Sequence, residues 1–276
     1  MKWIVIPVGS LALVAALALG AVLWQPTAQG DPFRIPEASE DELADVADHK
    51  VFFAHKSVGY NILDALPGVY EQHGLAAPAI TESRAVPGAA GFSHTAIGEN
   101  GDPRGKIAQF DALMRSGLAE QIDVAVLKLC YVDFRESRVD VEEVFAAYRD
   151  TMTALARDYP DTAFVAATSP LTTERGPLGK VRAALGRGDS LGPEHNVVRE
   201  RFNTLVRGHF TEPGALFDIA GVQSTTPGGD RVAYTRDGER YYAMDAEYAS
   251  DPGHLNADGA AVAASAFVAV VADALR

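Results

Sequence analysis

The sequence predicts an α/β protein: a three-layer α/β/α sandwich around a mainly parallel, five-stranded sheet. Three observations carry that expectation. From Val51 onward, short apolar runs rich in Val, Ala and Phe alternate with segments of helical periodicity, the pattern of repeated strand–helix units. Turn residues, chiefly Gly, Pro, Asn and Asp, punctuate the alternation. The stretch 49–276 has a length ordinary for one α/β domain.

The elements follow in order. After Met1-Lys2, the 22 residues from Trp3 to Trp24 carry no charge and are rich in Ala, Leu and Val. That run is long enough to cross a bilayer. A cleavable signal peptide has an apolar core of roughly 7–15 residues and a small-x-small cleavage site, so the expectation for 1–24 is an uncleaved signal anchor. Cleavage near Thr27-Ala28-Gln29 is the alternative and would give a secreted or periplasmic protein. Lys2 precedes the span, and Asp31, Glu37, Glu40, Asp41, Glu42, Asp45 and Asp48 follow it. The positive-inside rule then leaves the N-terminus in the cytoplasm and the body outside.

Residues 25–48, rich in Pro, Ala and acids, read as an acidic tether with one short amphipathic helix and no fold of its own. Strands are expected at 50–54, 80–86, 123–130, 163–168 and 215–219. Helices are expected at 58–73, 104–120, 140–158, 194–210 and 257–275. Two stretches are too long and too rich in Gly to be simple connectors, 87–103 and 223–250. The second contains Asp237-Gly238 between two short β-prone runs, the signature of a hairpin, and its place before Asp251 makes it a candidate lid. No internal repeat is visible.

Composition narrows the function. A formal net charge of −13 argues against nucleic acid or anionic lipid as the partner of the domain, because either requires a basic footprint. Membrane association is expected through the N-terminal segment alone. Cys130 is the only cysteine, which rules out an intramolecular disulfide and a four-cysteine zinc site. His49, His73, His94, His195 and His209 show no metal-ligand spacing, and no metal or cofactor is expected.

The chemistry lies at the two ends of the domain. Strand 50–54 runs into His55-Lys56-Ser57-Val58-Gly59, which puts a serine at a strand-to-helix turn. Far downstream, Asp251-Pro252-Gly253-His254 sets a carboxylate three residues before a histidine at the mouth of the last helix. A serine hydroxyl becomes a useful nucleophile when a base takes its proton, and the usual base is a histidine oriented by a carboxylate. Singly, Ser57 reads as a helix cap, Asp251 as a turn former and His254 as a polar residue near a helix start. Together, in this order and after strand ends of one sheet, they read as nucleophile, acid and base.

These residues resemble the SGNH (GDSL-like) hydrolases. That family has a Gly-Asp-Ser block after its first strand, an oxyanion-binding Gly after the second, Gly-x-Asn-Asp after the third and Asp-x-x-His before the last helix. Ser57 matches the first block, and Asp251 and His254 match the last. The resemblance implies a flavodoxin-like fold over 49–276, with Ser57 as nucleophile whose own N–H serves the oxyanion hole. This chain departs where His55-Lys56 replace Gly-Asp and where Cys130-Tyr131-Val132-Asp133 replaces Gly-x-Asn-Asp, so that the family's oxyanion Asn is missing. Gly91 or Gly98 could take the Gly role, and Asn100, His55 or Lys56 could supply the missing donor. Asp133 could orient the nucleophile loop.

Several residues admit two readings. Lys56 beside Ser57 raises a Ser–Lys dyad, though adjacent side chains diverge. Lys128, a cation within an apolar strand, is expected to pair with Asp133 or Glu82, and Cys130 to be a small buried hydrophobe. Tyr241, Tyr242 and Tyr248 would either stack on a sugar or pack the hairpin. The functional expectation is an extracytoplasmic serine esterase or deacylase acting on an acylated small molecule or cell-surface glycan. An O-acyltransferase and a non-catalytic glycan-binding module on the same fold are the alternatives.

Overall fold

The structure, a computed structural model, describes residues 27–84, 88–187 and 191–276, so the expected N-terminal span lies outside the described residues. Strand β1 (Lys50–His55) lies inside a six-stranded, all-parallel sheet. On one side of it run β3 (Gly91–Ala96) and the short edge strand β2 (Ile80–Glu82). On the other run β4 (Val124–Leu127), β5 (Ala163–Ala167) and β6 (Leu216–Phe217). The chain leaves β1 toward one edge and returns on its other side at β4. Sheets of this kind bind ligands beyond the carboxyl ends of the strands at such a switch point.

Helices cover both faces. α1 (Glu40–Ala47), α2 (Val58–Gln72), the short α7 (Ile219–Gln223) and α8 (Ala257–Ala274) lie with one core layer; α3 (Pro103–Leu113), α4 (Val141–Asp158) and α6 (Pro193–His209) lie with the other. The two-residue period of β1 feeds both: Val51 and Phe53 enter the first layer, Phe52 and Ala54 the second, and all four are fully buried. Helix starts follow their capping residues. Asp102, Asp140, Asp218 and Asn256 each accept a hydrogen bond from a backbone N–H in the first turn of the following helix.

The sheet has six strands where five were expected. The extra strand, β3, falls inside the stretch 87–103 that reads as a Gly-rich loop, because Ser93, His94 and Thr95 interrupt any apolar run, yet all three are buried. The expected strand at 80–86 shrinks to the exposed edge β2. The helix expected to 120 ends at Leu113 and continues as a wide turn over Met114–Leu118, where Gly117 takes φ +96°. Residues 25–48, read as a tether, add α1 to the domain: a Ser39–Glu42 capping box starts it, and Leu43 and Val46 are buried in the same core layer as α8.

The hairpin forms as the sequence implies, from β7 (Ala233–Arg236) and β8 (Glu239–Tyr242), with positive φ at both Asp237 and Gly238. It is joined to α6 by the Arg201–Glu239 ion pair (2.6 Å) and to the segment ahead of α1 by Ala28 N–H bonding to Ala233 O (3.1 Å). Tyr241, Tyr242 and Tyr248 are buried, so they pack the fold and present no ring face to a sugar. α8 is long and apolar enough to cross a membrane by length and composition, yet 61% of it is buried within the fold, as a core helix is.

Candidate active site

Ser57 sits between β1 and α2 with φ 53° and ψ −105°, a region that L-residues other than Gly rarely occupy. Such strain at a strand-to-helix turn lifts a nucleophile clear of the backbone and costs about 1–3 kcal/mol, which the surroundings must over-determine. They do so here. Tyr60 N–H bonds to Ser57 O (2.8 Å) and Gly59 N–H to Lys56 O (3.2 Å). From behind, the buried Lys128 ammonium donates to Lys56 O (3.0 Å) and Leu129 O (3.3 Å). Lys128 therefore does not make the expected ion pair with Asp133 or Glu82: it clamps the Lys56 and Leu129 carbonyls beside the Ser57 turn, and burial pulls its pKa down to about 8.

The Ser57 side chain caps nothing. Its Oγ lies 2.5 Å from His254 Nε2. On the other side of the ring, His254 Nδ1 lies 2.8 Å and 3.0 Å from the two oxygens of Asp251. With Nδ1–H donating to the carboxylate, Nε2 is the acceptor that the serine proton needs. Asp251 and His254 face each other across the tiny antiparallel pair β9 (Ala249–Asp251) and β10 (His254–Leu255), with Pro252-Gly253 as the bend. Burial by itself raises the Asp251 carboxyl. Hydrogen bonds from Gly253 N–H (2.8 Å) and His254 outweigh it and hold the carboxyl below the ordinary range, so it is an anion. The turn is tied to the scaffold by Thr173 N–H to Pro252 O (2.9 Å) and Leu255 N–H to Asn61 Oδ1 (3.4 Å).

The other sequence candidates separate. Gly91 starts β3 opposite Lys50, at the far end of the sheet from Ser57, and gives its N–H to His49 O (2.8 Å). It cannot serve the oxyanion. Gly98 gives its N–H to Gln109 Oε1 (2.7 Å), and a Cβ there would meet Lys106 Cγ at 2.5 Å, so this glycine is a packing requirement. His55 is fully buried with Nε2 3.1 Å from His94 Nδ1, and burial presses its pKa down to about 2; it is a neutral core group that cannot touch substrate. The serine's partner is His254 and not Lys56. Asn100 is exposed in the loop after β3, and its Oδ1 accepts from Lys106 Nζ (3.4 Å).

Asp133 is a brace rather than a rim group. Its carboxylate takes Lys106 Nζ on both oxygens (2.7 Å each), Gly101 N–H (2.8 Å) and Cys130 N–H (2.7 Å), so it joins the loop after β3, helix α3 and the loop after β4. Cys130 is buried, as its size suggests.

Sequence reasoning passed over Tyr131, the variable position of the third block. Its ring stands edge-on to the His254 imidazole, with the centroids 6.0 Å apart. Arg199 holds it in place, with the guanidinium 5.4 Å from the ring centroid and Nε bonded to Tyr131 O (2.9 Å). Burial, followed by the nearby Cys130 and Asp251, raises the phenol pKa, so the hydroxyl keeps its proton and remains a donor. A Cβ on Gly253 would lie 2.6 Å from the Tyr131 hydroxyl, so this glycine is what lets phenol and histidine turn meet. Among the described residues, the Ser57 N–H has no hydrogen-bond partner, and no group of three or more His, Cys, Asp or Glu could hold a metal ion.

No family model matches the sequence, and no curated protein matches it. Several solved structures align with it. A Bacteroides fragilis protein described as an acylhydrolase is 11% identical, with 88% of this chain and 93% of that one covered and a TM-score of 0.50. The periplasmic domain of a Salmonella Paratyphi A lipopolysaccharide acetyltransferase is 12% identical over 91% and 93% of the two chains, with a TM-score of 0.45. A Streptococcus pneumoniae protein described as a platelet activating factor is 14% identical over 93% and 97%, with a TM-score of 0.44. At 11% identity the likeness to the Bacteroides fragilis protein is one of fold: the chain is a flavodoxin-like α/β/α sandwich, with a serine, a histidine and an aspartate joined in one hydrogen-bonded line at its sheet switch point.

Proposed function

We propose that this protein is a serine hydrolase of the SGNH type that cleaves an acyl ester. The observation that carries the reading is the unbroken line from Ser57 Oγ through His254 to Asp251, with separations of 2.5 Å and 2.8 Å. The strained turn at Ser57, and the fold shared with the Bacteroides fragilis chain, support it.

In this mechanism His254 Nε2 takes the Ser57 proton as Oγ attacks the ester carbonyl. The carbonyl oxygen becomes an oxyanion that accepts from the Ser57 N–H and from the Tyr131 hydroxyl, which fills the role of the absent Asn; the Asn100 amide is a further donor within the neighbouring loop. The imidazolium, steadied by Asp251, then returns its proton to the departing alkoxide. Water, deprotonated by the same nitrogen, splits the acyl-serine and regenerates the free hydroxyl. An acceptor alcohol in place of water would make the same site an acyltransferase.

The substrate class follows from location. With residues 1–24 as a signal anchor and the domain outside, an acylated cell-surface glycan or a small acyl ester is what the site would meet. The test is hydrolysis of a series of p-nitrophenyl esters by the wild type and by Ser57→Ala. Turnover by the wild type and its loss in Ser57→Ala support the reading. A wild type inert from short to long esters would favour a binding module, and an active Ser57→Ala would remove the nucleophile.

A further inference from the structure

Helix α5 (Pro177–Ala184), eight residues inserted between β5 and α6, differs from the other α-helices among the described residues in having no buried residue. Leu178 is 80% exposed and Leu185, one residue past its end, is 72% exposed; they are the exposed large hydrophobics among the described residues. Arg182 lies between them at the (i, i+4, i+7) spacing that shares one helix face, and it too is exposed, while Gly179, Lys180, Val181 and Ala183 form the half-buried side. So the outward face reads Leu, Arg, Leu.

The charge of this segment opposes that of the protein. Residues 175–187, between Glu174 and Asp189, hold Arg175, Lys180, Arg182 and Arg187 and no acid, in a chain of formal net charge −13. Arg175 is committed to Glu194 (2.7 Å). Arg182 and Arg187 are exposed, and Lys180 is half-buried. Two exposed leucines with a cation between them suit the interface of an anionic bilayer, where leucines enter the acyl boundary and arginines stay at the phosphates.

We propose that α5 is a membrane-surface contact, seated on anionic lipid through Leu178, Arg182 and Leu185. Its position gives the contact a consequence. Four residues before α5, the Thr173 N–H is bonded to Pro252 O within the Asp251–His254 turn, so seating the helix fixes the height and tilt of the sheet rim above the lipid. The acidic remainder of the surface is repelled, which selects one orientation. A face of two leucines binds weakly and reversibly by itself; the expected N-terminal span is the second anchor such a contact needs. A second copy of the chain fits the face poorly, because a two-fold contact centred on it would oppose Arg182 to Arg182.

The test uses the full chain with Leu185→Cys carrying an environment-sensitive fluorophore; the native Cys130 is buried and stays unlabelled. The chain is reconstituted into phosphatidylcholine vesicles with or without phosphatidylglycerol. The expected result is a blue-shifted emission, quenched by lipid-borne quenchers, with occupancy on the order of ten-fold higher on the anionic membrane. High salt and the Arg182→Glu/Arg187→Glu variant should abolish the difference. Equal emission on both membranes would overturn the proposal, as would a shift that needs no lipid and grows with protein concentration, the mark of self-association. Leu178→Asp should lose membrane contact while its rate on a soluble ester, if the wild type has one, stays unchanged, so this inference and the esterase reading fail separately.

Discussion

Replacing Lys106 by Met isolates the group that braces the rim. Its ammonium meets both oxygens of Asp133 at 2.7 Å, and the two side chains are 1% and 0% exposed. Methionine keeps the apolar stem and removes the charge, which leaves a carboxylate buried with only the Gly101 and Cys130 N–H groups for company. Stranding one member of a buried ion pair costs about 3–5 kcal/mol. For a domain of this size, about 2–4 °C of melting temperature is lost per kcal/mol, so the midpoint should fall by roughly 6–20 °C. The double variant Lys106→Met/Asp133→Leu distinguishes this brace from a simple pair. Buried pairs can often be exchanged for hydrophobes without loss, but here leucine would orphan two backbone N–H groups at about 1–3 kcal/mol each. The double variant should therefore remain about 2–6 kcal/mol below wild type, whereas Lys106→Met/Asp133→Asn, which keeps an acceptor, should recover part of the loss. Urea and thermal unfolding followed by circular dichroism would measure all four proteins. A Lys106→Met variant within about 1 kcal/mol of wild type, or a Leu double variant more stable than wild type, would refute the reasoning.

Three further outcomes are expected. Tyr131→Phe should lower kcat by about 10²–10³ with little change in KM, since an oxyanion donor acts in the transition state; steady-state kinetics on one ester check it, and an unchanged kcat would dismiss the phenol as a donor. Gly253→Ala drives a methyl toward the Tyr131 hydroxyl, 2.6 Å away, and should cost on the order of 10²-fold in rate through displacement of the His254 turn, with the melting temperature nearly unchanged; an equally active variant would show that the contact relaxes freely. His55 has a folded pKa of about 2 against an ordinary 6.5, so below pH 6.5 the unfolded chain binds a proton that the native chain refuses. Its stabilising contribution is complete above pH 6.5 and falls by about 1.4 kcal/mol per pH unit toward the folded pKa; His55→Asn should flatten the acid limb of a stability–pH curve, and an unaltered limb would contradict the buried neutral state.

The sequence carried the layered architecture because burial on both faces leaves a mark: Val51 to Ala54, Val124 to Leu127 and Ala163 to Ala167 are apolar throughout. β3 left no such mark, since Ser93, His94 and Thr95 are buried polar residues, with His94 held by His55 of β1 and Thr95 by Arg84. The order of Ser57, Asp251 and His254 along the chain was legible; that they meet depends on crossovers no local pattern encodes. Tyr131 was missed because the matching motif leaves its position unconstrained, and its role depends on Arg199, from α6, and on the bare Cα of Gly253. Lys128 was seen as anomalous but given the wrong partner, because carbonyl groups of a strained turn are invisible in a list of side chains.

The most direct test of the central claim, that Ser57 is a nucleophile activated by His254, is reaction with a fluorophosphonate followed by peptide mass mapping. The account predicts one phosphonylated residue, Ser57, with labelling lost in Ser57→Ala and strongly slowed in His254→Ala. Labelling of another serine, or an unlabelled wild type in its folded state, would contradict it.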